Sequence, residues 1–245
     1  MSDLALDKSY QLGSRGKKVR LIQEWLCLND LNVRVDGDFG PATDFAVKQF
    51  QKKNSLLIDG VVGNITFNKL ILPMTNALMK IPNNGEPLRK MVVAYAKQHF
   101  KQNPREIGGQ NMGPWVRLYM KGNEGLIWPW CAGFVCFILD RASNSANVPL
   151  PITPSFSCDS LAASAKENNI FMKESEISEE NMIKPGSFFL QRRTSMTWAH
   201  VGIVVQVKND VFYSIEGNTN DEGSAEGYEV SQRIRGYEKK DFILI

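Results

Sequence analysis

A cysteine and a histidine are the residues of this 245-residue chain best placed for covalent chemistry. Cys131 follows the aromatic stretch Trp128-Pro129-Trp130 and opens an apolar run that we predict to be a helix. At a helix N-terminus, unpaired amides and the helix dipole favour a thiolate, and one amide can receive the oxyanion of an attacked carbonyl. An isolated cysteine in an apolar run is otherwise most often a packing residue, so the interpretation depends on a partner base.

The chain has two histidines, and His200 is the better candidate for that base. It opens a predicted strand, His200 to Val207, whose alternate positions are apolar, so that His200 and Gly202 share the other face. His99 lies near the end of a predicted helix, where a surface or packing role is favoured.

The following strand, Val211 to Glu216, supplies a candidate third member of the site. With a three-residue connection at 208–210, His200 lies opposite Asn218, and Glu216 shares their face. A plain two-residue turn would send both acceptors to the opposite face. We therefore predict an odd connection, or a bulge that restores parity, in the 208–210 region. Either acceptor would fix the His200 tautomer and stabilise its imidazolium.

Other residues near the site have weaker patterns. Cys136 lies on a different side of the predicted helix from Cys131 and is interpreted as core packing. Cys158 has no predicted helix start and is not expected to be the nucleophile. Trp130 and Trp198 neighbour the reactive residues, which makes them candidates for the walls of a substrate cleft.

The N-terminal part carries a repeated turn pattern, Asp-Gly-x-(Phe/Val)-Gly-x-x-Thr, at Asp36 to Thr43 and at Asp59 to Thr66. Each copy predicts a tight turn followed by a helix, and we interpret Asp36, Gly37, Asp59 and Gly60 as turn-forming residues. Helices predicted at 17–28, 42–52 and 66–72 make a small three-helix module, with Phe45 among the residues expected to face inward.

This segment resembles the peptidoglycan-binding domain type 1 family over roughly residues 10–72. The family pattern is matched by Val19-Arg20-Leu21-Ile22-Gln23, by the first Asp-Gly repeat, and by Phe50-Gln51. The resemblance implies that the module binds bacterial peptidoglycan.

The chain divides into two predicted domains. Proline, glycine and asparagine between residues 76 and 87 indicate a linker, and Pro73 is expected to end the last helix of the module. We therefore predict a binding domain at 1–75, the linker at 76–87 and a second domain at 88–245. Helices first and antiparallel strands second predict an α+β fold for this domain.

Three ordered segments of the second domain are similar to the cysteine, histidine-dependent amidohydrolase/peptidase (CHAP) family: residues 130–135, 199–204 and 215–218. The resemblance implies a papain-like fold, with N-terminal helices packed on an antiparallel sheet, that cleaves amide bonds in peptidoglycan. It implies Cys131 as nucleophile, His200 as base, and Glu216 with Asn218 as the supporting pair. Residues 105–115 are similar to a loop of phage-type relatives, so the whole chain resembles a phage-type endolysin.

One position departs from the family pattern. Many members have glutamine immediately before the cysteine, where this chain has Trp130. The backbone N–H of Cys131 remains as an oxyanion donor, and Asn111 or the indole N–H of Trp130 could supply a second. The domain start has no acidic cluster of the kind that binds calcium in some relatives, so we predict neither a metal nor another cofactor.

Composition limits the partners and the location. Lys+Arg 29 against Asp+Glu 26 gives +3, too small a charge to indicate nucleic acid. The longest apolar run contains Pro129 and is shorter than the ~20 residues of a membrane helix, so we expect no membrane span. We also expect a monomer. Charged residues interrupt the first thirty positions and leave no stretch for a secretory signal. We therefore expect synthesis in the cytoplasm and action on the wall after lysis-type release or injection.

The expected activity is bacteriolytic hydrolysis of peptidoglycan, as an endopeptidase or an N-acetylmuramoyl-L-alanine amidase. One alternative is an injected toxin that uses the same residues for transglutaminase or deamidase chemistry. Another is a wall-binding component without catalysis. Glutamine modification in a host protein would favour the first alternative, and binding to sacculi without release of fragments would favour the second.

Overall fold

The computed structural model describes residues 2–177, 182–220 and 227–245. Within these ranges, the helices precede the main strands along the chain. The α-helices are α1 (Lys17–Leu28), α2 (Pro41–Lys53), α3 (Asn64–Leu70), α4 (Leu72–Leu78), α5 (Leu88–Phe100), α6 (Pro114–Tyr119), α7 (Cys131–Ala146) and α8 (Cys158–Glu167). The strands are β1 (Phe171–Met172), β2 (Phe188–Arg192), β3 (Trp198–Val207), β4 (Val211–Thr219), β5 (Glu229–Gly236) and β6 (Lys240–Ile243). Short 3-10 helices cover Ser2–Leu4 and Glu174–Glu176.

Two buried glutamines stabilise the Asp-Gly turns of the N-terminal module. Gln23 donates to Asp36 Oδ1 (2.9 Å) and accepts from the N–H of Gly37 (2.7 Å). Gln51 makes the same contacts in the second repeat. It donates to Asp59 Oδ1 (2.8 Å) and accepts from the N–H of Gly60 (3.0 Å). Both glycines have a positive φ, 77° and 75°, which residues with a side chain rarely adopt. The turn-forming interpretation of these residues is confirmed.

Two predictions for the module are wrong. Phe45 is 64% exposed, whereas Val47 is buried, because residues two apart lie about 200° from each other around a helix. Pro73 does not end the helical structure but lies in the first turn of α4, where a missing N–H breaks no intrahelical bond. Met74 and Ala77 of this additional helix are buried.

The strands form one antiparallel sheet in the order β1-β6-β2-β3-β4-β5. Helix α7 packs against β3 and β4, so that Val201, Ile203 and Ile215 join the main apolar core. A smaller cluster around Phe189 and Phe212 covers other apolar residues of the sheet. Helices combined with an antiparallel sheet make the α+β fold that the sequence predicts.

The main core extends without a break from the module into the C-terminal part. Trp25 of α1 contacts Trp115 of α6 edge to face, with ring centroids 6.1 Å apart. Beside this pair, Arg117 Nη2 lies 2.6 Å from Oε2 of Glu24, whose side chain is 1% exposed. The predicted division at 1–75, 76–87 and 88–245 stays a prediction, and α4 (Leu72–Leu78) crosses its first boundary. None of the helices in the described ranges is long and apolar enough to cross a membrane.

Candidate active site

Cys131 is the first residue of α7, directly after Trp130 at the N-cap position. The first backbone N–H groups of a helix have no intrahelical acceptor, so they and the helix dipole favour a negative charge at this place. The backbone N–H of Val201 in β3 also interacts with the Cys131 sulfur. The nucleophile candidate therefore lies where the start of α7 meets the start of β3, and its side chain is 5% exposed.

A second thiol contacts Cys131. Cys158 begins α8, where the hydroxyl of Ser157 caps the helix by accepting from the N–H of Ser160 (3.4 Å). The prediction that Cys158 has no helix start is therefore wrong. A hydrogen bond from Cys158 holds the pKa of Cys131 well below its usual range, and the His200 ring adds to this effect against the opposing effect of burial. The same hydrogen bond and burial raise the pKa of Cys158, which remains a thiol and acts as donor.

His200 lies in β3, is 3% exposed and interacts with the Cys131 thiol. Its Nε2 atom is 2.9 Å from Oε2 of Glu216. Burial disfavours the charged ring, but the interaction with Cys131 and the hydrogen bond to Glu216 outweigh it and raise the pKa of His200 to about 9. The geometry and the charges favour a thiolate and an imidazolium side by side, with the carboxylate on the far side of the ring.

Glu216 is fully buried, and besides contacting His200 it accepts three hydrogen bonds from two other side chains. Arg235 of β5 donates from Nε to Oε1 (2.9 Å) and from Nη2 to Oε2 (2.7 Å), and the Ser214 hydroxyl donates to Oε1. Burial raises the pKa of Glu216, but the hydrogen bonds from Arg235 and His200 outweigh it and lower this pKa to about 2. The buried carboxylate is therefore ionised throughout the neutral range.

A bulge in β3 sets the register that brings His200 and Glu216 together. The turn is short, since Lys208 N–H donates to Val211 O (2.9 Å), which by itself gives the wrong parity. A bulge between Val204 and Gln206 shifts the pairing by one residue. The prediction of a bulge that restores parity is confirmed, but its place is wrong, because it lies within β3 and not at 208–210.

Two glycines allow the close approach of these elements. A Cβ atom on Gly217 would lie 2.7 Å from Phe134 Cβ and 2.8 Å from Trp130 Cζ3 on the α7 side. A Cβ atom on Gly202 would lie 2.7 Å from Glu216 Cγ. Such distances are far below van der Waals contact, so β4 can lie against α7, and Glu216 beside β3, only with glycine at these positions.

Asn218, the other predicted acceptor, lies at the end of β4. It is 1% exposed, its backbone is left-handed (φ 56°), and its carbonyl accepts from the N–H of Gly227 (3.1 Å). The pairing of β4 with β5 is irregular between Glu216 and Thr219. Glu216 is the residue that accepts from the His200 ring, and a supporting role for Asn218 stays a prediction.

Trp130 and Asn111 are occupied by contacts other than those predicted. Trp130 is fully buried, stacks on Tyr119 with centroids 5.6 Å apart, and donates its indole N–H to Glu106 Oε1 (2.8 Å). Asn111 donates its backbone N–H to Glu106 Oε2 (2.8 Å) and its side-chain amide to Leu126 O (3.3 Å). In this structure both donors hold the loop in front of α7, so neither is placed as the side-chain oxyanion donor.

Trp198 and His99 are also buried. The indole N–H of Trp198 donates to Asp241 Oδ2 (2.9 Å), and the ring forms part of the wall of a cavity. His99 Nδ1 lies 2.9 Å from the Tyr119 hydroxyl, and burial lowers the pKa of His99 to about 3, so that its ring stays neutral. This agrees with the packing role that the sequence favours for His99. A substrate contact by Trp198 stays a prediction.

Arg235, Ser214, Cys158 and Glu106 belong to the surroundings of the site but were not among the predicted residues. Arg235 is reached only through the pairing of β4 with β5, which no sequence motif reports, whereas Ser214 lies two residues before Glu216 and shares its face of β4. Cys158 could have been found from Ser157, because a serine before a helical pattern is a start signal. Among the residues that the structure describes, no group of three or more His, Cys, Asp or Glu side chains is placed to hold a metal ion.

Comparison with known proteins concerns the N-terminal module. Residues 15–70 match the family model described as "Putative peptidoglycan binding domain". The chain is 41% identical over 61 residues to the zinc D-Ala-D-Ala carboxypeptidase of Streptomyces albus G, a match that covers 24% of each protein. The chain thus spans about a quarter of that relative's length. The peptidoglycan-binding module predicted from the sequence is confirmed, and Cys131 and His200 lie outside the family match.

Two solved structures are also similar in sequence. The N-terminal domain of SleB is 34% identical and covers 27% of this chain and 93% of its own, with a TM-score of 0.27. A fused Zn-dependent amidase/peptidase/peptidoglycan-binding domain-containing protein from Clostridium acetobutylicum ATCC 824 is 30% identical and covers 37% of this chain and 42% of its own, with a TM-score of 0.24.

Proposed function

We propose that the chain is a peptidoglycan hydrolase that cleaves amide bonds in the peptide part of the bacterial wall through a Cys131-His200-Glu216 site of CHAP type. The observation that carries the proposal is the thiol at the start of α7 beside a histidine whose far side is hydrogen-bonded to a buried, ionised carboxylate. This is the arrangement that nucleophilic acyl transfer requires.

The proposed reaction has two halves. The Cys131 thiolate attacks the amide carbonyl, and a C–S bond forms while the oxyanion is received by backbone N–H groups at the start of α7. The C–N bond then breaks as His200 gives its proton to the leaving amine. Water attacks the thioester carbonyl as His200 takes up its proton, and a C–O bond forms. The C–S bond then breaks, which releases the carboxylic acid and restores the Cys131 thiolate beside the His200 imidazolium. Glu216 holds the ring orientation and stabilises the imidazolium in both halves.

The N-terminal module supports a wall substrate. A domain that holds the chain on an immobile polymer raises the local concentration of scissile bonds for the attached site. Acyl transfer to or from a host protein would use the same three residues, but a peptidoglycan-binding module gives no advantage on such a substrate. We therefore place hydrolysis of peptidoglycan ahead of transglutaminase or deamidase chemistry.

Digestion of purified sacculi tests the proposal. We expect soluble fragments with one new free amine for each new carboxylate, identified by mass spectrometry of the released material. A new N-terminal alanine together with free muramic acid lactyl groups would identify an amidase, and new termini between amino acids an endopeptidase. Intact sacculi after incubation with folded protein, or new reducing sugar ends, would contradict the proposed function.

A further inference from the structure

A basic cavity of about 520 Å³ lies at the end of the sheet where β2 ends and β3 and β6 begin. Five cationic side chains and the Trp198 ring contribute to its lining. The cations are Lys166, Lys173, Arg192, Arg193 and Lys239. Asp241 is the acidic residue of this lining.

Asp241 in the lining and the neighbouring Glu174 are both paired with Arg192. Arg192 Nη1 lies 2.9 Å from Asp241 Oδ1, and Nη2 pairs with Glu174. The other four cationic residues are exposed, and none forms an ion pair within the described part of the chain. The cavity therefore presents a surplus of positive charge that would attract an anion.

Part of the cavity wall is held in place by specific contacts. Lys166 Nζ lies 4.7 Å from the Phe171 ring centroid and 4.6 Å from that of Trp198, so the ammonium group is held over two aromatic faces. The Trp198 indole is fixed by its hydrogen bond to Asp241 (2.9 Å). A cation held in this way loses less rotamer freedom when it binds a ligand than a free lysine does.

Strand pairing places the cavity beside the candidate active site. Gln191 pairs with His200, and the next residue, Arg192, pairs with Trp198. Residues along a strand rise by about 3.3 Å each, so Trp198 and His200 lie within ~7 Å of each other along β3. An extended peptide covers a similar distance per residue, so a group two or three residues from the scissile bond reaches the cavity.

Trp198 also connects the cavity to the element that begins beside the nucleophile. The backbone N–H of Trp198 donates to Asp159 Oδ1 (2.7 Å), which fixes the start of α8 against the start of β3. Asp159 follows Cys158, the thiol that contacts Cys131. Substrate held in the cavity would therefore lie against the same elements that position the thiolate.

We propose that this cavity is a subsite for an anionic group of the wall polymer, namely a free carboxylate on the peptide whose amide bond is cleaved. The identification of the ligand as a wall peptide rests on the proposed function. A phosphate group of an anionic wall polymer carries the same negative charge. The experiment must therefore distinguish a phosphate ligand from the peptide carboxylate.

Binding is measured in the full chain carrying Cys131→Ala, so that ligand recognition is observed without turnover. Calorimetric titration compares a soluble muropeptide with free carboxylates, the same peptide with those groups amidated, and inorganic phosphate. We expect the free acid to bind at least ~10-fold more tightly than the amide, in line with charge-assisted recognition. The added double substitution Lys173→Gln/Arg193→Gln should remove this preference, whereas Lys97→Gln/Lys101→Gln at the end of α5 should retain it.

Each outcome decides the assignment. Equal affinity for acid and amide, no detectable binding of either, or a preference unchanged by Lys173→Gln/Arg193→Gln would overturn it. Phosphate binding that depends on Lys173 and Arg193, with no preference between the peptides, would assign the cavity to a phosphate-bearing polymer and refute the carboxylate. If the carboxylate preference is found while the wild-type chain leaves sacculi intact, the subsite stands and the proposed hydrolysis fails.

Discussion

Oε2 of Glu216 is shared between two cationic partners, with Arg235 Nη2 at 2.7 Å and His200 Nε2 at 2.9 Å. The carboxylate is fully buried, a location in which a carboxyl group ordinarily becomes neutral. Arg235 lowers the pKa of Glu216 and therefore keeps a negative charge behind the His200 ring. Arg235 thus acts on the site through Glu216 and is a positioning residue in the proposed mechanism.

Replacement of Arg235 by glutamine should move the acid limb of the activity profile. Without the guanidinium, burial raises the pKa of Glu216 above its value of about 2, so the carboxylate is lost at a higher pH as the solution is acidified. We expect kcat at neutral pH to fall at least ~10-fold, within the range attributed to general acid-base assistance. Arg235→Lys should recover part of the loss. A variant with lower activity but an unshifted acid limb would show that Arg235 has only a structural role.

Replacement of Glu216 by glutamine should move the alkaline limb. The interaction with Cys131 and the hydrogen bond to Glu216 raise the pKa of His200 to about 9 against the effect of burial, so the imidazolium persists up to that pH and is lost above it. Without the carboxylate the pKa of His200 falls, and activity should decline at a lower pH than in the wild type. Titration of the His200 ring by NMR checks the same shift without turnover. An unchanged His200 titration in folded Glu216→Gln protein would refute the role of the carboxylate.

Replacement of Cys158 by alanine should make Cys131 a weaker acid. The thiol of Cys158 is the largest of the contributions that lower the pKa of Cys131, and its removal leaves His200 and the helix start to oppose burial. The pH dependence of Cys131 alkylation by iodoacetamide, followed by peptide mass spectrometry, measures the change. Cys136→Ala is the matched control. The Cys136 thiol donates to Ser155 O (3.3 Å) and lies on a different side of α7 from Cys131. Identical alkylation profiles for Cys158→Ala and the control would count against the thiol contact.

The ion pair between the module and the C-terminal part should contribute to stability. Replacing Glu24, which is 1% exposed, by glutamine leaves Arg117 without this partner. Because Arg117 keeps Asp3 and Glu124 as partners, the loss stays below the ~3 kcal/mol of an uncompensated buried charge. We expect a loss of ~1.5 kcal/mol, the value of a hydrogen bond to a charged group, and a lower urea midpoint. Glu86→Gln is the control, because the Glu86–Lys90 pair is exposed and should contribute little. Equal unfolding midpoints for the two variants would contradict the stabilising role of this contact.

Local patterns predicted the parts of the fold that have strong periodicity. The bounds predicted for α1 agree with the structure, and the alternating apolar residues of β3 predicted the face that carries His200. Strand β5 was not predicted, because its residues Glu229–Gly236 are mostly polar and one side remains open to solvent. Arg235 lies on that strand, so its pairing with Glu216 could not be inferred.

The contact between the thiols of Cys131 and Cys158 likewise could not be predicted from local sequence patterns. Cys131 and Cys158 start separate helices, and their contact depends on how α7 and α8 pack on the start of β3. No spacing in the sequence reports that packing. An odd connection or a bulge near 208–210 was predicted from parity, because only an extra residue could place His200 and Glu216 on one face, and the structure has the bulge within β3. Its position within the strand is set by local packing, which alternation alone does not determine.

In the proposed mechanism Cys131 carries out the cleavage while the N-terminal module holds the chain on the wall. The most direct measurement compares wild-type protein with Cys131→Ala and with Cys136→Ala on purified sacculi, recording bound protein by sedimentation and released peptide termini by mass spectrometry. We expect all three proteins to bind equally, and release to be lost in Cys131→Ala alone. Release of new peptide termini by folded Cys131→Ala at the wild-type rate would contradict the account.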